Sequence, residues 1–390
     1  MRGLYITAAV TMAGVSSVFA LLAALQERYD LPTVSLGWIA GTAFLTALVA
    51  QLWLSRYADR GYGGLLLRAG VVASAAGLIW FGLATEVWQF VAARGLLGAG
   101  VGMLVPPARR FIVLTAGDKQ GEKLGTFYAA YLSGFVFGPP FAAALLAIGD
   151  VRLPFLVLGA LVALSLLSIL RLEMPMAEPE EAGGVDADRR VLRRLLSDRR
   201  LIAALLVVIS FRYSIGVFEP LWSVHLTDLG ASDLWIALSL TGFALPMLLV
   251  ARAAGRLTDT YGARWASLVP ALITVPLMAT YGYSPFLWLV MAVAVPHGLM
   301  EAAMSPASQA AVANASSKAD AGAAQGLGEA AGSAAAAAGA FTAPGMFDVL
   351  GAGPAWLIAA CVMGCLLVLS WILDGPGPLP ARPAQKEKTS

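Results

Sequence analysis

The chain has 390 residues, of which 59% are hydrophobic and only 13% are charged, and its formal net charge is +2. Soluble domains contain roughly a quarter of charged residues, so this composition excludes an ordinary soluble domain, and the near-neutral balance gives no sign of nucleic acid as a partner. Apolar stretches repeatedly reach the ~20 residues that a helix needs to cross a bilayer. We therefore predict an all-α membrane protein whose surroundings are mainly lipid.

Twelve membrane-spanning helices are predicted, separated by short clusters of Asp, Arg, Lys, Gly and Pro. The predicted spans are, in chain order, residues 4–25, 36–54, 65–85, 88–114, 125–148, 153–171, 201–223, 234–253, 265–283, 286–312, 322–347 and 352–373. Most of the 26 Lys and Arg residues fall on one side of this arrangement when the N-terminus is cytoplasmic. The positive-inside rule then predicts a multi-pass protein of the cell inner membrane with both termini in the cytoplasm.

The longest polar interruption divides the predicted spans into two sets of six. Residues 173–200 begin with a stretch rich in Pro, Glu and Gly, which is typical of a flexible linker. They continue as a basic segment with leucines on one face, which predicts an amphipathic helix on the cytoplasmic leaflet, with a solvated run of charge as the alternative. We therefore expect an N-terminal six-helix bundle at 1–172, a C-terminal six-helix bundle at 201–375 and a cytoplasmic tail at 376–390.

Two stretches of the same type follow the second helix of each set. "SRYADRGYGG" covers residues 55–64 and "GRLTDTYGAR" covers residues 255–264, so one pattern recurs after 200 positions. A repeat of this length predicts that the two six-helix bundles are pseudo-symmetric copies of one fold.

Both stretches resemble motif A, the loop signature of the major facilitator superfamily, which reads approximately G-x-L-A-D-R-x-G-R-R. The matching positions are Asp59 and Arg60 in the first stretch and Gly255, Asp259, Gly262 and Arg264 in the second. The resemblance implies the superfamily fold and a gating role for these residues. A carboxylate just beyond a helix end can pair with nearby arginines and hold a gate shut. The alternative role for Asp59 and Asp259 is that of a simple helix cap.

Two further stretches strengthen this resemblance. "RGLLGAGVG", which begins at Arg94, is similar to motif B of the superfamily. The fifth helix resembles motif C, which is characteristic of antiporters, at Gly125, Gly134, Gly138 and Pro139. Glycines on one helix face let a neighbouring backbone approach closely, and proline permits a bend. We therefore expect a tight, bent contact between the two bundles at this helix, with packing against lipid as the alternative.

An ionisable group inside a predicted span needs a partner, a cavity or a function, and six residues are the candidates for such a role. They are Arg94, Arg212, Glu219, His297, Glu301 and Glu329. In the superfamily fold the first, fourth, seventh and tenth helices line a central cavity, and the first five of these residues fall on the fourth, seventh and tenth. The resemblance therefore implies that those five are candidates for the substrate or proton site.

The spacing of these residues indicates how they could act. Arg212 and Glu219 are seven residues apart and His297 and Glu301 are four apart, so each pair shares one face of its helix. Removal from water favours the protonated carboxyl group, which makes Glu219 a candidate for substrate contact and Glu301, beside His297, a candidate for proton exchange. The alternative is a structural ion pair of Arg212 with either glutamate. For Glu329 we expect a structural hydrogen bond, and two possible ligands do not make a metal site.

Taken together, these patterns predict a secondary transporter that works by alternating access between its bundles. Proton-coupled efflux of small amphipathic or lipophilic compounds is the expected activity, and a monomer without cofactor or metal is the expected form. We expect no enzyme, because no nucleophile with a base, metal box or phosphate loop is found in the sequence. Uptake by symport, translocation of a lipid or an organic anion, and a transport-dead membrane sensor are the alternatives.

Overall fold

The computed structural model describes residues 1–57, 61–172, 191–317 and 320–375. These residues form α-helices with short 3₁₀ and π turns and no β-strand, which confirms the all-α prediction. The helices are α1 (Arg2–Tyr29), α2 (Thr33–Tyr57), α3 (Gly63–Leu83), α4 (Val87–Thr115), α5 (Gln120–Ile148), α6 (Leu153–Ser165), α7 (Arg199–Asp228), α8 (Asp233–Leu249), α9 (Ala251–Tyr261), α10 (Ala263–Tyr281), α11 (Leu287–Asn314), α12 (Ala321–Leu350) and α13 (Ala352–Asp374). The predicted gating residues Asp59 and Arg60, most of the predicted linker and the predicted tail lie outside the described residues.

Polar side chains mark the starts of the two helices that carry most of the candidate site. They are needed because the first N–H groups of a helix have no partner within it. Before α7, the Asp198 carboxylate accepts hydrogen bonds from the N–H groups of Arg200 (2.8 Å) and Leu201 (3.4 Å). At the start of α4, Glu86 and Gln89 form a reciprocal capping box. These local signals determine where α4 and α7 begin.

Within the described ranges, nine helices are long and apolar enough to cross a membrane, and α8 with α9, bent by 58°, makes a tenth if the pair is one span. Leu153–Ser168, which is α6 with its 3₁₀ extension, is a shorter apolar helix. α12 has 30 residues but consists largely of Ala and Gly, which are less hydrophobic than Leu or Val. Each of the twelve predicted spans falls on a helix, which confirms the twelve-helix arrangement, although the sixth and the eighth end before their predicted boundaries, at Ser168 and Leu249.

The two sets, α1–α6 and α7–α13 with α8 and α9 counted as one span, pack by one plan. In the first set α1 packs on α5, α2 on α4, and α3 on both α4 and α6. In the second set α7 packs on α12, α8 on α11, and α10 on both α11 and α13. These contacts are equivalent under the repeat, so the two bundles are pseudo-symmetric.

The bundles meet mainly along two helix pairs, α2 with α12 and α5 with α8. We call the end of the molecule that holds Met1 and Gly375 the terminal face, and the other end, at which α1 and α7 finish, the opposite face. Toward the opposite face, the ring of Trp38 on α2 lies 5.1 Å from the ring of Phe341 on α12, measured between centroids. The Thr241 hydroxyl on α8 donates a 2.7 Å hydrogen bond to the carbonyl of Val136 on α5. The halves are therefore joined on that side.

The motif C glycines occupy a different contact from the expected one. A Cβ atom added at Gly138 would lie 2.6 Å from the carbonyl oxygen of Ala13, and one at Gly134 would collide with the carbonyl of Ala9. Both neighbours are on α1, in the same bundle. The expectation of a contact between the bundles at these glycines was therefore wrong, because spacing shows that glycines share a face but not which helix that face meets. Gly125 has nothing within 4 Å of an added Cβ.

Helix α7 contains a proline in its interior, Pro220. Proline has no N–H, so the carbonyl of Gly216, four residues earlier, loses its helical hydrogen bond. Gly216 itself packs against the backbone of Ala336 on α12 so closely that any side chain would collide. α7 is therefore a continuous helix with one weakened turn beside its tightest contact.

Candidate functional site

The first buried pair joins the two bundles. Arg94 on α4 donates a hydrogen bond through Nη2 to Oε1 of Glu219 on α7. Only 2% of the Arg94 side chain and 8% of the Glu219 side chain are exposed to solvent. Glu219 thus pairs with an arginine of the other bundle and not with Arg212, its neighbour on the same helix. The predicted alternative of an Arg212–Glu219 ion pair is not what the structure contains.

The stability of this buried contact requires both Arg94 and Glu219. A charge left alone in a low-dielectric interior is poorly solvated, so removing one partner of a buried pair is strongly destabilising. Within the described residues, Nε and Nη1 of Arg94 have no hydrogen-bond partner, which leaves Glu219 as the group that compensates the arginine charge. The pair holds α4 against α7, and in this state the Glu219 carboxylate is not open to a substrate.

The second buried cluster lies inside the C-terminal bundle. The Ser214 hydroxyl on α7 donates a 3.1 Å hydrogen bond to Oε1 of Glu301 on α11. Nε2 of His297 is 3.5 Å from the same oxygen, and the hydroxyl of Tyr281 on α10 is 2.9 Å from Nδ1 of His297. His297 and Glu301 are almost completely buried. When the Tyr281 hydroxyl donates to Nδ1 of His297, the neutral imidazole carries its hydrogen on Nε2. That N–H faces the carboxylate of Glu301.

An aromatic shell surrounds this cluster. The ring of Phe218 lies 5.2 Å from His297, 5.5 Å from Tyr281 and 4.9 Å from Trp356, measured between ring centroids. Nε2 of His225 is 3.0 Å from the carbonyl oxygen of Tyr281. Such rings exclude water and lower the local dielectric, which strengthens electrostatic interactions inside. His297 and Glu301 therefore sit in a closed core and do not line the gap between the bundles.

Sequence reasoning missed Ser214, Tyr281 and the aromatic shell. One signal was present for Tyr281: a tyrosine within an apolar span needs a partner for its hydroxyl. No signal was present for the shell, because its rings come from different helices, Phe218 and His225 from α7 and Trp356 from α13, at unrelated spacings.

The third group of charges lies in the gap between the bundles, on the terminal side. Nη1 of Arg109 on α4 is 3.9 Å from Oε1 of Glu329 on α12, and 49% and 36% of these side chains are exposed. Glu329, for which a structural hydrogen bond was expected, makes this loose ion pair. Arg212 on α7 is half-buried and runs over Gly332 of α12, where an added Cβ would lie 2.8 Å from its Cγ. Tyr131 on α5 is within electrostatic reach of Arg109, Arg212 and Glu329.

The second motif A stretch folds into helix α9 and the turn that follows it. Gly262 ends α9 with φ 81°, a backbone conformation that favours glycine. Asp259 is exposed. Nε of Arg264 is 2.7 Å from Oδ2 of Asp374 at the end of α13, and its Nη2 donates to the carbonyl of Gly375. The basic end of this motif therefore holds the last helix, by way of a residue that sequence analysis did not single out.

Two cavities lie away from these charges. One, of about 640 Å³, is an apolar groove between α10 and α13 that includes the free cysteines Cys361 and Cys365. The other, of about 360 Å³, lies at the opposite face and is lined by Gln26, Glu27 and Asp228 among others. Within the described part of the chain, no three His, Cys, Asp or Glu residues come together as a metal site would require.

Two overlapping segments of the chain, residues 4–226 and 204–390, match the family model described as Major Facilitator Superfamily. The chain belongs to this superfamily. It is accordingly a multi-pass membrane transporter for small molecules and not an enzyme.

Curated relatives and solved structures agree with this assignment. Multidrug resistance protein 1 of Bacillus subtilis (strain 168) is 24% identical over 306 residues, which are 76% of this chain and 77% of that protein. Multidrug resistance protein MdtG of Dickeya zeae (strain Ech586) is 23% identical over 278 residues, 70% of this chain and 68% of that protein. A crystal structure of a variant of the nucleoside transporter NupG has a TM-score of 0.83 at 13% identity and covers 96% of this chain and 99% of that one. At such identities, structural likeness shows a shared fold.

Proposed function

We propose that the chain is a proton-coupled efflux transporter for small amphipathic or lipophilic compounds that works by alternating access between its bundles. In this proposal both termini are cytoplasmic, so the terminal face points into the cell and the opposite face points out of the inner membrane. Relatives whose names denote multidrug resistance support efflux. Basic residues concentrated in the loops of the terminal face support the orientation.

The charge balance of the two buried clusters carries the proposal of proton coupling. The Arg94–Glu219 pair is neutral without an added proton. Within the described residues, Glu301 has no partner with a fixed positive charge, so the cluster with His297 is neutral only when it holds one extra proton. Burial disfavours an uncompensated charge. We therefore assign the transported proton to Glu301 and His297, and the closing of the opposite face to Arg94 and Glu219.

Helix α7 links these two functions. Ser214 donates to Glu301 within the C-terminal bundle, and Glu219 accepts from Arg94 across the interface. A movement of α7 that opens the opposite face separates Arg94 from Glu219 and changes the hydrogen bonding of Glu301. The affinity of the cluster for a proton then depends on which face is open, and this dependence is what couples a proton gradient to transport.

The test of coupling uses purified protein in liposomes with an imposed pH gradient and three fluorescent probes: ethidium, fluorescein and Nile red. We expect accumulation of at least one probe that collapses when an ionophore removes the gradient. Glu301→Gln, which imitates the protonated carboxyl group, should lose this accumulation but retain counterflow of the same probe. Glu122→Gln, at an exposed acid in the first turn of α5, is the matched control and should retain both. Accumulation by Glu301→Gln at the wild-type level would refute the assignment.

The orientation has an independent test. A fluorescent protein fused after Ser390 should fold and fluoresce, because the proposal places the C-terminus in the cytoplasm. A reporter that is active only in the periplasm should be inactive at the same position. The reverse result would contradict the orientation while leaving the fold unaffected.

A further inference from the structure

We propose that Arg212 and Arg109 form the substrate site and that this site takes amphipathic anions, with a carboxylate, sulfonate or phosphate group at the guanidinium groups and an apolar or aromatic body beside Tyr131. The inference rests on the proposed transport function and names its substrate class.

Arg212 is the observation from which the inference starts. It lies near the middle of α7, about 20 Å from the start of that helix at 1.5 Å per residue. Among the described residues no carboxylate or hydrogen-bond acceptor contacts its guanidinium, whereas Glu219, Glu301 and Glu329 each have a partner. A guanidinium at this depth of a membrane requires an anion or a water-filled cavity.

The position of the Arg212 side chain is set by a glycine. An added Cβ at Gly332 on α12 would lie 2.8 Å from Cγ and 3.3 Å from Nε of Arg212. The apolar stem of the arginine therefore packs on the bare backbone of α12, and the residue as a whole is only partly buried. A side chain at position 332 would displace the guanidinium without changing any charge.

The other groups of the site come from both bundles. Tyr131, on α5 of the N-terminal bundle, is within electrostatic reach of Arg109, Arg212 and Glu329. Arg109 and Glu329 are partly exposed and 3.9 Å apart, which is a loose pair that a ligand can compete with. Two guanidinium groups and one carboxylate leave an excess of positive charge. Because these groups lie on facing helices of the two bundles, a ligand bound among them touches both halves of the transporter.

The chemistry of these groups selects an anion over a cation. A guanidinium group presents paired N–H donors that match the oxygens of carboxylate, sulfonate or phosphate. A cationic substrate needs an accessible free carboxylate, whereas Glu219 and Glu329 are paired with arginines and Glu301 is enclosed within the C-terminal bundle. Tyr131 offers an aromatic face for the body of the ligand. An amphipathic anion therefore satisfies Arg212 and fits the apolar surroundings.

The experiment compares two probes with the same ring and opposite charge, 1-naphthalenesulfonate and 1-naphthylmethylammonium. Titration calorimetry on the purified full-length protein should detect the sulfonate and not the ammonium compound. Arg212→Gln should weaken sulfonate binding at least about tenfold, the equivalent of one charge-assisted hydrogen bond, and Arg212→Lys should recover part of the affinity. Arg200→Gln, at an exposed arginine in the first turn of the same helix, is the matched control and should bind as the wild type does.

A second variant keeps the inference testable if Arg212→Gln does not fold. Gly332→Ala retains every charge but forces the Arg212 stem to move, so sulfonate affinity should fall in this variant as well. Wild-type sulfonate affinity in either variant, or tighter binding of the ammonium probe, would overturn the inference.

Failure of this inference is distinguishable from failure of the proposed function. Preference for the ammonium probe together with proton-driven accumulation of ethidium would overturn the substrate class and leave efflux intact. Sulfonate binding that depends on Arg212, without accumulation of any probe under a pH gradient, would support the anion site and refute proton-coupled efflux.

Discussion

The two bundles share one packing plan but divide the chemistry between them. In the ion pairs of the membrane interior, the arginines Arg94 and Arg109 belong to the N-terminal bundle, and their carboxylate partners Glu219 and Glu329 belong to the C-terminal bundle. The closed cluster of His297 and Glu301 also lies entirely in the C-terminal bundle. The two bundles therefore share helix contacts, while in both of these ion pairs the positive member comes from the N-terminal bundle and the negative member from the C-terminal bundle.

The glycines differ between the bundles in a related way. In the α1–α5 contact the close approach is made by Gly134 and Gly138, both on α5. In the equivalent α7–α12 contact it is made from both sides, by Gly216 on α7 and Gly339 on α12. On α1 the residues that meet these glycines are Ala9, Ala13 and Ser16, so α1 contributes no glycine to this contact. On α7, in contrast, Gly216 lies between Arg212 and Glu219, so the close contact and the charges share one segment of the helix.

Removing the negative charge of Glu219 should have the largest effect on the stability of the protein. Glu219→Gln leaves Arg94 buried without a counter-ion, which should cost roughly 3 to 5 kcal/mol and appear as poor expression or a lower unfolding temperature of the purified protein. Replacing both residues with leucine should restore much of the loss. Glu329→Gln, in the exposed pair, should cost less than about 1 kcal/mol. Equal effects of the two glutamine variants would show that the burial of the Arg94–Glu219 pair has no energetic consequence.

Valine substitutions on α5 test how much the close contact between α5 and α1 contributes to stability. Gly134→Val forces a side chain into the backbone of α1, which should cost about 1 to 3 kcal/mol through overpacking. Gly125→Val is the matched control on the same helix, because nothing lies within 4 Å of an added Cβ there. Thermal unfolding in detergent measures both variants. If the control loses as much as Gly134→Val, the loss reflects helix propensity rather than the close contact.

A smaller effect is expected at Ser214, which connects α7 with the buried carboxyl group of the C-terminal bundle. Ser214→Ala removes one hydrogen bond to Glu301 and should cost about 1 kcal/mol. Ser214 donates directly to the proposed proton site, so the pH profile of proton release on binding of a transported probe should change in this variant. Ser370→Ala is the control, since the Ser370 hydroxyl donates to the carbonyl of Ala203 and not to Glu301. An unchanged pH profile in Ser214→Ala would argue against Glu301 as the proton site.

The smallest effect concerns the motif A stretch of the C-terminal bundle. Asp374→Asn weakens the contact with Arg264 and should lower stability by about 1 kcal/mol or less, because the pair is only partly buried. Asp259→Asn should leave the unfolding temperature unchanged, since its side chain is exposed. A flux measurement on the same two variants separates gating from stability: a slower rate in Asp259→Asn with normal stability would support the gating role that the motif implies.

Hydropathy and repeat length were sufficient to predict the helices and their division into two sets. Each span depends on its own composition, and the repeat is visible in the motif A stretches. The partner of Glu219 was not predictable, because Arg94 is 125 positions away and meets it only after the bundles pack. The helix that Gly134 contacts was missed for the same reason. His297 and Glu301 were found together because four-residue spacing is a local property, whereas Tyr281 and Ser214 join them through tertiary packing.

The weakened turn of α7 has a consequence for the order of events in a transport cycle. The carbonyl of Gly216, which Pro220 leaves without a helical partner, lies between Ser214 and Glu219 along the helix. In the proposed cycle, a bend at this point moves the outer part of α7, with Glu219, away from Arg94 first, and the movement reaches Ser214 and changes the hydrogen bonding of Glu301 only afterwards. The opposite face would then begin to open before the proton assigned to Glu301 and His297 is released.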